Sequence, residues 1–429
     1  MKTYNKPNKE QWAMLTQRPV INKERLNETV NSIINEVKLN GDKALIKYTS
    51  LFDGVTLRSL AVSEREVTEA IAEVPWQLKA AIQVARKNIT AFHEAQLIQE
   101  ETVETTPGVK CWRKSIAIEK VGLYIPGGSA PLFSTILMLG IPAQLAGCKE
   151  VVLCTPPNKN QKINPAILYT ANLLGITKIY KVGGAQAVAA MAYGTDTIPQ
   201  VYKIFGPGNQ YVTKAKELIQ QSGVAIDMPA GPSEVLVIAD DTCQPAFVAA
   251  DLLSQAEHGE DSQVILLSNS TKIIEQCLAE VEKQVALLPR KETALKALAN
   301  SAAVVLNNMA ECFEFSNQYA PEHLIIASEN AQQFVNGIVN AGSVFLGNYS
   351  CEAAGDYASG TNHTLPTNGF AKSYSGVSLD SFVKKITYQE LSKVGIGNIG
   401  RAIEIMAEAE GLLAHKNAVS LRLKEIEND

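Results

Sequence analysis

The feature that most constrains the fold is an alternation, from about residue 116 onward, of short β-branched runs with stretches of helical periodicity. One series of runs lies at 121–126, 150–154, 178–182 and 203–205, and a second at 235–239, 263–267, 303–306, 323–327 and 343–346. Strands separated by helical stretches of about ten or more residues indicate parallel sheets with crossover helices. The two series therefore predict an α/β fold of two Rossmann-like lobes, with a cleft where strand ends face each other.

The remaining chain is predicted to be helical. Apolar residues at helical spacing predict helices over 21–39 and 75–99, and a charged helix over about 400–427. At 429 residues the chain is long enough for two or three domains. The predicted helical segments at the two ends would then flank the α/β lobes.

The composition argues against two classes of partner. The formal net charge is −5 and no long basic run is present, so neither nucleic acid nor an anionic membrane has electrostatic support. Residues 1–10 are polar and lack the apolar core of a signal peptide, and no apolar stretch is long enough to span a bilayer. The 7 cysteines form no C-x-x-C pair, which favours reduced thiols. We therefore expect a cytoplasmic protein.

Four of the 5 histidines lie in polar motifs rather than on apolar faces. They are His258, His323, His363 and His415. Imidazole binds divalent metals and moves protons near neutral pH, and a site assembled from several distant segments can do both. The pattern predicts a metal-dependent enzyme. The fifth, His93, lies in an amphipathic helical stretch and is assigned to structure.

Gln255 and His258 are three residues apart on a helix predicted from about residue 245, so both side chains face one way and could bind a metal. Alternatively they form a helix C-cap, because Gly259 follows. Glu322 and His323 open a predicted strand and could act as a general acid/base pair. A solvated loop pair is the alternative there.

Asp356 and His363 lie in a polar, glycine-rich stretch that is predicted to be a loop. Ordering such a loop is costly without a function, so Asp356 is a candidate metal carboxylate and His363 a second imidazole. Glu410 and His415 are five residues apart, about 140° around a helix axis. On spacing alone, they are interpreted as surface residues unless Gly411 distorts the helix.

Three glycine-rich loops each follow a predicted strand: Tyr124-Ile-Pro-Gly-Gly128, Gly183-Gly-Ala-Gln186 and Gly206-Pro-Gly-Asn209. None is the G-x-G-x-x-G dinucleotide fingerprint. Their free backbone N–H groups would still favour phosphates, and Tyr124, Gln186 and Asn209 could contact a ribose or nicotinamide. Spacing alone leaves nucleotide binding open.

Together these motifs strongly resemble the histidinol dehydrogenase family over nearly the whole chain. The shared motifs include the three loops above, Asp227-Met-Pro-Ala-Gly-Pro-Ser-Glu-Val235, Ser254-Gln-Ala-Glu-His-Gly259, Ala320-Pro-Glu-His-Leu324, Gly355-Asp-Tyr357 through Asn362-His-Thr-Leu-Pro-Thr367, and Glu408-Ala-Glu-Gly411 with His415-Lys-Asn-Ala418. The resemblance implies a four-electron oxidation of L-histidinol to L-histidine through the aldehyde, the last steps of histidine biosynthesis. It also implies two NAD used in turn and one metal ion, usually zinc, per subunit.

The resemblance also implies roles for individual residues. The metal ligands would be Gln255, His258, Asp356 and His415. The acid/base pair would be Glu322 and His323, and the substrate would further contact Ser233, His363 and Glu410. NAD would contact Tyr124, Gln186 and Asn209. In the family the last ligand comes from the partner subunit of a homodimer, so His415 and Glu410 would act in trans.

These roles predict a division of the chain. Residues 21–120 and 235–376 would form the larger lobe with the metal and catalytic residues, and 121–234 the lobe that contacts NAD. Residues 1–20 would be an N-terminal helical segment, and 377–429 a C-terminal helical segment that reaches the partner subunit. A metal-dependent hydrolase is the alternative, because His, Asp and Glu around a metal would serve it too. A catalytically silent scaffold is a third reading, which the intact acid/base pair disfavours.

Overall fold

The structure of the protein is a computed structural model that describes residues 1–18, 23–127 and 131–428. It divides into two compact units, Met1–Ala95 with Ile118–Phe382 and Gln96–Ala117 with Val383–Asp429. Within the described residues, no helix is long and apolar enough to cross a membrane. The finer division of the chain at residues 20, 120, 234 and 376 stays a prediction.

The strands, in chain order, are β1 Lys2–Asn5, β2 Thr102–Thr106, β3 Val109–Ala117, β4 Lys120–Tyr124, β5 Glu150–Thr155, β6 Lys178–Lys181, β7 Lys203–Phe205, β8 Ala225–Ile226, β9 Glu234–Ala239, β10 Gln263–Ser268, β11 Ala302–Val305, β12 His323–Ala327, β13 Ser343–Leu346 and β14 Val383–Leu391.

The α-helices are α1 Lys9–Leu15, α2 Lys23–Asn40, α3 Asp42–Tyr48, α4 Glu64–Glu73, α5 Trp76–Glu94, α6 Phe133–Ala146, α7 Pro165–Leu173, α8 Gly184–Tyr193, α9 Gln210–Ile219, α10 Pro245–Ala256, α11 Thr271–Val285, α12 Lys291–Ala299, α13 Met309–Tyr319, α14 Glu352–Tyr357, α15 Lys393–Ala409 and α16 Leu413–Glu427.

The first unit contains a six-stranded parallel sheet in the order β1-β11-β10-β9-β12-β13. Every residue of β9 is buried, because helices cover both faces of the sheet. Val235 and Val237 pack toward α10 and α11, whereas Leu236 and Ile238 pack with Trp12 and the residues of α13. Successive side chains along a strand point to opposite faces of the sheet, so one apolar run contributes to the hydrophobic clusters on both faces.

A second parallel sheet in the same unit has five strands in the order β6-β5-β4-β7-β8. Its two faces pack against separate apolar clusters, one with α2, α8 and α9 and the other with α5, α6 and α7. The two parallel sheets with crossover helices confirm the predicted fold class. The strands predicted at 203–205, 323–327 and 343–346 have the bounds expected.

The second unit departs from the prediction of purely helical ends. It contains an antiparallel sheet in the order β14-β3-β2, followed by α15 and α16. Most residues of β14 are exposed or half-buried, so its sequence carries no apolar run that would mark a strand. At the other end of the chain, β1 also replaces part of the predicted N-terminal helix.

The single helix predicted over about 400–427 is wrong. The structure has two helices, because α15 ends at Ala409 and the chain turns at Gly411, whose φ of 73° is left-handed. Glycine adopts this conformation readily, and it ends helices for that reason. Glu410 therefore lies at the end of α15, whereas His415 lies in the first turns of α16.

Candidate active site

The predicted acid/base pair lies at the start of β12, beneath the protein surface. Glu322 and His323 are both buried, so the solvated loop pair considered for them does not describe this site. Ala320, which ends α13 with a left-handed φ of 55°, turns the chain into the strand. The Glu322 carboxylate then accepts a hydrogen bond of 2.8 Å from the backbone N–H of Glu234, at the start of the neighbouring strand β9.

The backbone carbonyl of Glu234 orients two further side chains. It accepts a 3.1 Å hydrogen bond from Gln255 Nε2, and it lies 3.1 Å from His323 Nδ1. A carbonyl only accepts hydrogen bonds, so in the neutral form of the His323 ring Nδ1 carries the proton and Nε2 has the lone pair. By the same reasoning, Oε1 is the end of the Gln255 amide that is left for a ligand.

The short helix α14 brings two carboxylates to this pair. Glu352 and Asp356 are one turn apart, and one potential ligand atom from each, with one from His258, lie within 4.8 Å of one another. His323 Nε2 is 3.7 Å from Asp356 Oδ1. Within the described part of the chain, Glu352 Oε2 and His323 Nε2 are buried without a hydrogen-bond partner.

The pKa values of these side chains reflect both their burial and the charges that they place on one another. Burial raises the pKa of Glu322 to about 8 and that of Glu352 to about 8. Burial alone would lower the pKa of His323, but Glu352, Glu322 and Asp356 outweigh it and raise the pKa to about 10. Burial opposes ionisation of Asp356 too, yet its interaction with His323 holds the pKa of Asp356 below its usual range.

His363 joins the cluster to the helix that follows β4. Its Nδ1 is 2.9 Å from the backbone oxygen of Asp356, and its Nε2 is 2.9 Å from Thr135 Oγ1 on α6. Nδ1 must therefore carry the ring proton, and Nε2 accepts from the threonine hydroxyl. Burial lowers the pKa of His363, which favours this neutral form.

A second group of predicted contacts lies at the carboxyl edge of the five-stranded sheet. Tyr124, the last residue of β4, is buried, and its hydroxyl accepts a 3.0 Å hydrogen bond from the N–H of Gly184. Gln186 is also buried, and its Oε1 has no hydrogen-bond partner among the described residues. Asn209 caps α9 through its Oδ1, which leaves its Nδ2 for other contacts.

Gly206 fixes the geometry of this edge. Its φ is 128°, and a Cβ placed on it would lie 2.0 Å from the backbone oxygen of Tyr124. Its N–H donates to Asp227 Oδ2 at 2.8 Å, and its carbonyl accepts from Lys216 Nζ at 2.9 Å. Lys216 and Asp227 also form a buried ion pair with each other. Gly128, the last residue of the first glycine loop, lies outside the described residues.

The sequence profile of the histidinol dehydrogenase family matches residues 16–423. The chain belongs to the histidinol dehydrogenase family. It is 59% identical over 426 residues to the histidinol dehydrogenase of Bacteroides fragilis, with 99% of this chain and 100% of that protein covered. It is 53% identical to that of Escherichia coli O157:H7, with 99% and 97% covered. A crystal structure of histidinol dehydrogenase from Elizabethkingia anophelis superposes with a TM-score of 0.97 at 61% identity, covering 100% of this chain and 99% of that one.

In this family member, the first unit brings together most of the predicted site residues. Gln255, His258 and Asp356 lie around the acid/base pair, and Ser233 is half-buried directly before β9. The predicted helix from residue 245 ends at Ala256, so His258 projects from the turn that follows. Glu410 and His415 belong to the second unit, where both are exposed.

Sequence reasoning missed Glu352. The stretch around Asp356 was predicted to be a loop, whereas Glu352–Tyr357 is a helix. The signal that could have found the residue is its spacing of four from Asp356, which places two carboxylates on one helical face. Arg18 and Glu234, which form a buried pair under the site, were also missed.

Proposed function

We propose that this protein oxidises L-histidinol to L-histidine through L-histidinaldehyde, with two NAD reduced in turn. The observation that carries the proposal is the buried pair of Glu322 and His323 at the start of β12, bonded to the start of the neighbouring strand β9. Gln255, His258 and Asp356 lie around this pair. Family membership supplies the substrate, and the geometry supplies residues suited to both oxidation steps.

His323 is the group that takes the alcohol proton as hydride leaves for NAD. Its Nδ1 proton is directed at the Glu234 carbonyl, so Nε2, which faces Asp356, is the atom that takes up the second proton. Glu322 serves the second step. As a carboxylate it draws a proton from the water that attacks the aldehyde, and a second hydride transfer then gives the acid.

The donor set of the first unit fits a divalent cation. It combines an imidazole, an amide oxygen and carboxylates, and the ligand atoms of His258, Glu352 and Asp356 already converge within 4.8 Å. Burial raises the pKa values of Glu322 and Glu352 to about 8, and a bound cation would oppose this by favouring the ionised carboxylates. We assign the metal ligands as Gln255, His258, Asp356 and the His415 of a partner subunit. A bound zinc ion would supply positive charge that holds and orients the substrate nitrogens.

The remaining assignments follow the same resemblance. Tyr124, Gln186 and Asn209 contact NAD from the carboxyl edge of the five-stranded sheet, while Ser233 and His363 position the substrate. Glu410 and His415 complete the site of a partner subunit in a homodimer. Because both are exposed in the single chain, they are accessible for such a role. The cytoplasmic location stays a prediction.

The proposed activity is tested by NADH formation from L-histidinol, with and without prior chelation and zinc restoration. We expect two NADH per histidinol, loss of activity on chelation and recovery with zinc. NADH formation also separates the dehydrogenase from the hydrolase alternative. No NADH from zinc-loaded protein would overturn the proposal.

The contribution of the partner subunit is tested by mixing two inactive variants. His258→Ala and His415→Ala dimers, dissociated and reassociated together, should recover activity because hybrid dimers hold one intact site. Each variant treated alone is the control. A mixture as inactive as its components would show that His415 does not act in trans.

A further inference from the structure

A residue far from the acid/base pair in sequence lies beneath it in the fold. The Arg18 guanidinium donates two hydrogen bonds to the Glu234 carboxylate, from Nε to Oε1 at 2.9 Å and from Nη2 to Oε2 at 2.9 Å. The two side chains are 14% and 2% exposed, so this is a buried, bidentate ion pair. Such pairs are geometrically specific as well as strong.

Arg18 also holds the segment that leads into the acid/base pair. Its Nη2 donates to the backbone oxygen of Tyr319 at 2.8 Å, and the guanidinium carbon lies 3.7 Å from the Tyr319 ring centroid. Tyr319 ends α13, and the left-handed Ala320 that follows turns the chain toward Glu322. One guanidinium thus fixes the entrances to both β9 and β12.

Glu234 is where these contacts reach the site. Its side chain is held by Arg18 and by the backbone N–H of Asn368, which donates to Oε1 at 2.9 Å. Its main chain makes the contacts that orient Glu322, Gln255 and His323. With its side chain fixed on one side, the Glu234 peptide groups have little freedom to move on the other.

We propose that Arg18 is a positioning residue for the oxidation. It acts through Glu234 to hold the side chains of Glu322, His323 and Gln255 in the positions that the reaction requires. The inference rests on the proposed function. Arg18 touches none of these three side chains, so its influence runs through the Glu234 backbone. A lysine cannot replace it fully, because one ammonium cannot form the fork and cover the Tyr319 ring at once.

The test compares steady-state kinetics of Arg18→Gln and Arg18→Lys with the wild type, using L-histidinol and NAD. We expect kcat to fall by about tenfold to a hundredfold in Arg18→Gln, as for residues that orient catalytic groups. KM for NAD should change less than about twofold, since the NAD contacts lie on the other sheet. Arg18→Lys should recover part of the loss.

Trp12→Phe is the matched control for loosening of the N-terminal segment. Trp12 is buried in the same segment and packs against Phe315 at 5.4 Å between ring centroids, without a contact to Glu234. This variant should lower the melting temperature and leave kcat unchanged. If kcat falls as much in Trp12→Phe as in Arg18→Gln, Arg18 matters only because it anchors the N-terminal segment, and the inference is wrong.

Chemical rescue gives a readout that does not depend on overall stability. Guanidinium ion at millimolar concentration should raise kcat of Arg18→Ala several-fold, whereas equal concentrations of sodium or ammonium should not. The absence of rescue, together with an unchanged kcat in Arg18→Gln, overturns the inference while the wild type stays active. An inactive wild type would instead overturn the proposed function, and with it this inference.

Discussion

The two parallel sheets of the first unit present opposite ends of their strands to the predicted site residues. At the five-stranded sheet, Tyr124 and the glycine loops follow the strands, and the loop backbone is held by the Tyr124 hydroxyl and by the buried pair of Lys216 and Asp227. At the six-stranded sheet, Glu322 and His323 precede or begin a strand, and the contacts are made by buried charged side chains. The first edge, which we call the backbone edge, presents neutral groups such as the Gln186 amide to a ligand, whereas the second, the charged edge, presents ionisable side chains.

This difference decides how each edge is supported. At the backbone edge, Gly206 fits against a neighbouring carbonyl because it has no Cβ, and its own backbone groups are held by the nearby pair of Lys216 and Asp227. Buried charges need compensation from elsewhere in the chain, because an unpaired buried ion is unstable. Arg18 provides such compensation for the buried carboxylate of Glu234, 216 residues away in sequence. Substitutions at the two edges should therefore impair different properties of the protein.

The largest effect is expected at the charged edge, from His323→Ala. NADH formation should fall by about a thousandfold, within the usual range for loss of a general base. Zinc content, measured by atomic absorption, should stay near that of the wild type, because His323 is not among the assigned ligands. Turnover within tenfold of the wild type would refute the role of His323 as the base.

A smaller effect, on metal affinity, is expected from Glu352→Gln. Glu352 is buried beside His258 and Asp356, so loss of its charge should weaken zinc binding by about tenfold to a hundredfold. Glu260→Gln is the control, since Glu260 is exposed and pairs with Lys296 at 2.6 Å. Competition with a chromogenic chelator gives both affinities. Equal affinities in the two variants would place Glu352 outside the metal site.

At the backbone edge, Gly206→Ala should impair NAD binding rather than the metal site. The new Cβ would collide with the Tyr124 carbonyl, and the strained φ costs about 1–3 kcal/mol. KM for NAD should rise by about tenfold with zinc affinity unchanged. Gly147→Ala is the control, because Gly147 also has a left-handed φ, of 85°, but nothing lies within 4 Å of its added Cβ. Weakened zinc binding in Gly206→Ala would break the separation between the two edges.

The smallest effect concerns pH and stability of the metal-free protein. The pKa of Glu322 and that of Glu352 are each about 8 in the folded state, above the usual value of about 4.3. The folded state thus binds these protons more tightly than the unfolded chain does. Their stabilising contribution is complete below about pH 4.3 and is lost as pH rises through 8.

The melting temperature of metal-free wild type should therefore fall between about pH 5 and pH 8. The slope should be shallower in Glu352→Gln, because glutamine does not ionise, and added zinc should oppose the fall. Differential scanning calorimetry across this range gives both slopes. Parallel slopes for wild type and variant would contradict the raised pKa of Glu352 in the folded protein.

The same contrast explains what the sequence could predict. The strands of both sheets other than β1 and β8, and the glycine loops, were predicted because apolar runs and punctuating glycines are local signals. Strand β14 was missed because its residues are exposed or half-buried and form no apolar run. The helix break at Gly411 was missed because a single glycine is a weak signal within a long helical pattern. The pair of Arg18 and Glu234 joins residues that no local pattern connects.

The site residues show the same limit. The positions of Gln255, His258, Glu322, His323 and Asp356 came from polar motifs and from the family resemblance, and they lie around one cluster in the structure. Glu352 has no such motif, and it becomes visible only when Glu352–Tyr357 is known to be helical. The role of each residue stays a prediction until variants are measured.

Strand β1 has a consequence for how the chain is made. Among the described residues, Lys2–Asn5 pairs with β11 alone, so this strand must wait for Ala302–Val305 to be made before it can dock. The five-stranded sheet needs nothing beyond Ile226 for its strands and can assemble earlier. We therefore expect the edge with Tyr124, Gln186 and Asn209 to form earlier during synthesis. The edge that holds Glu322 and His323, with Arg18 beneath it, can close only after β11 and β12 have been made.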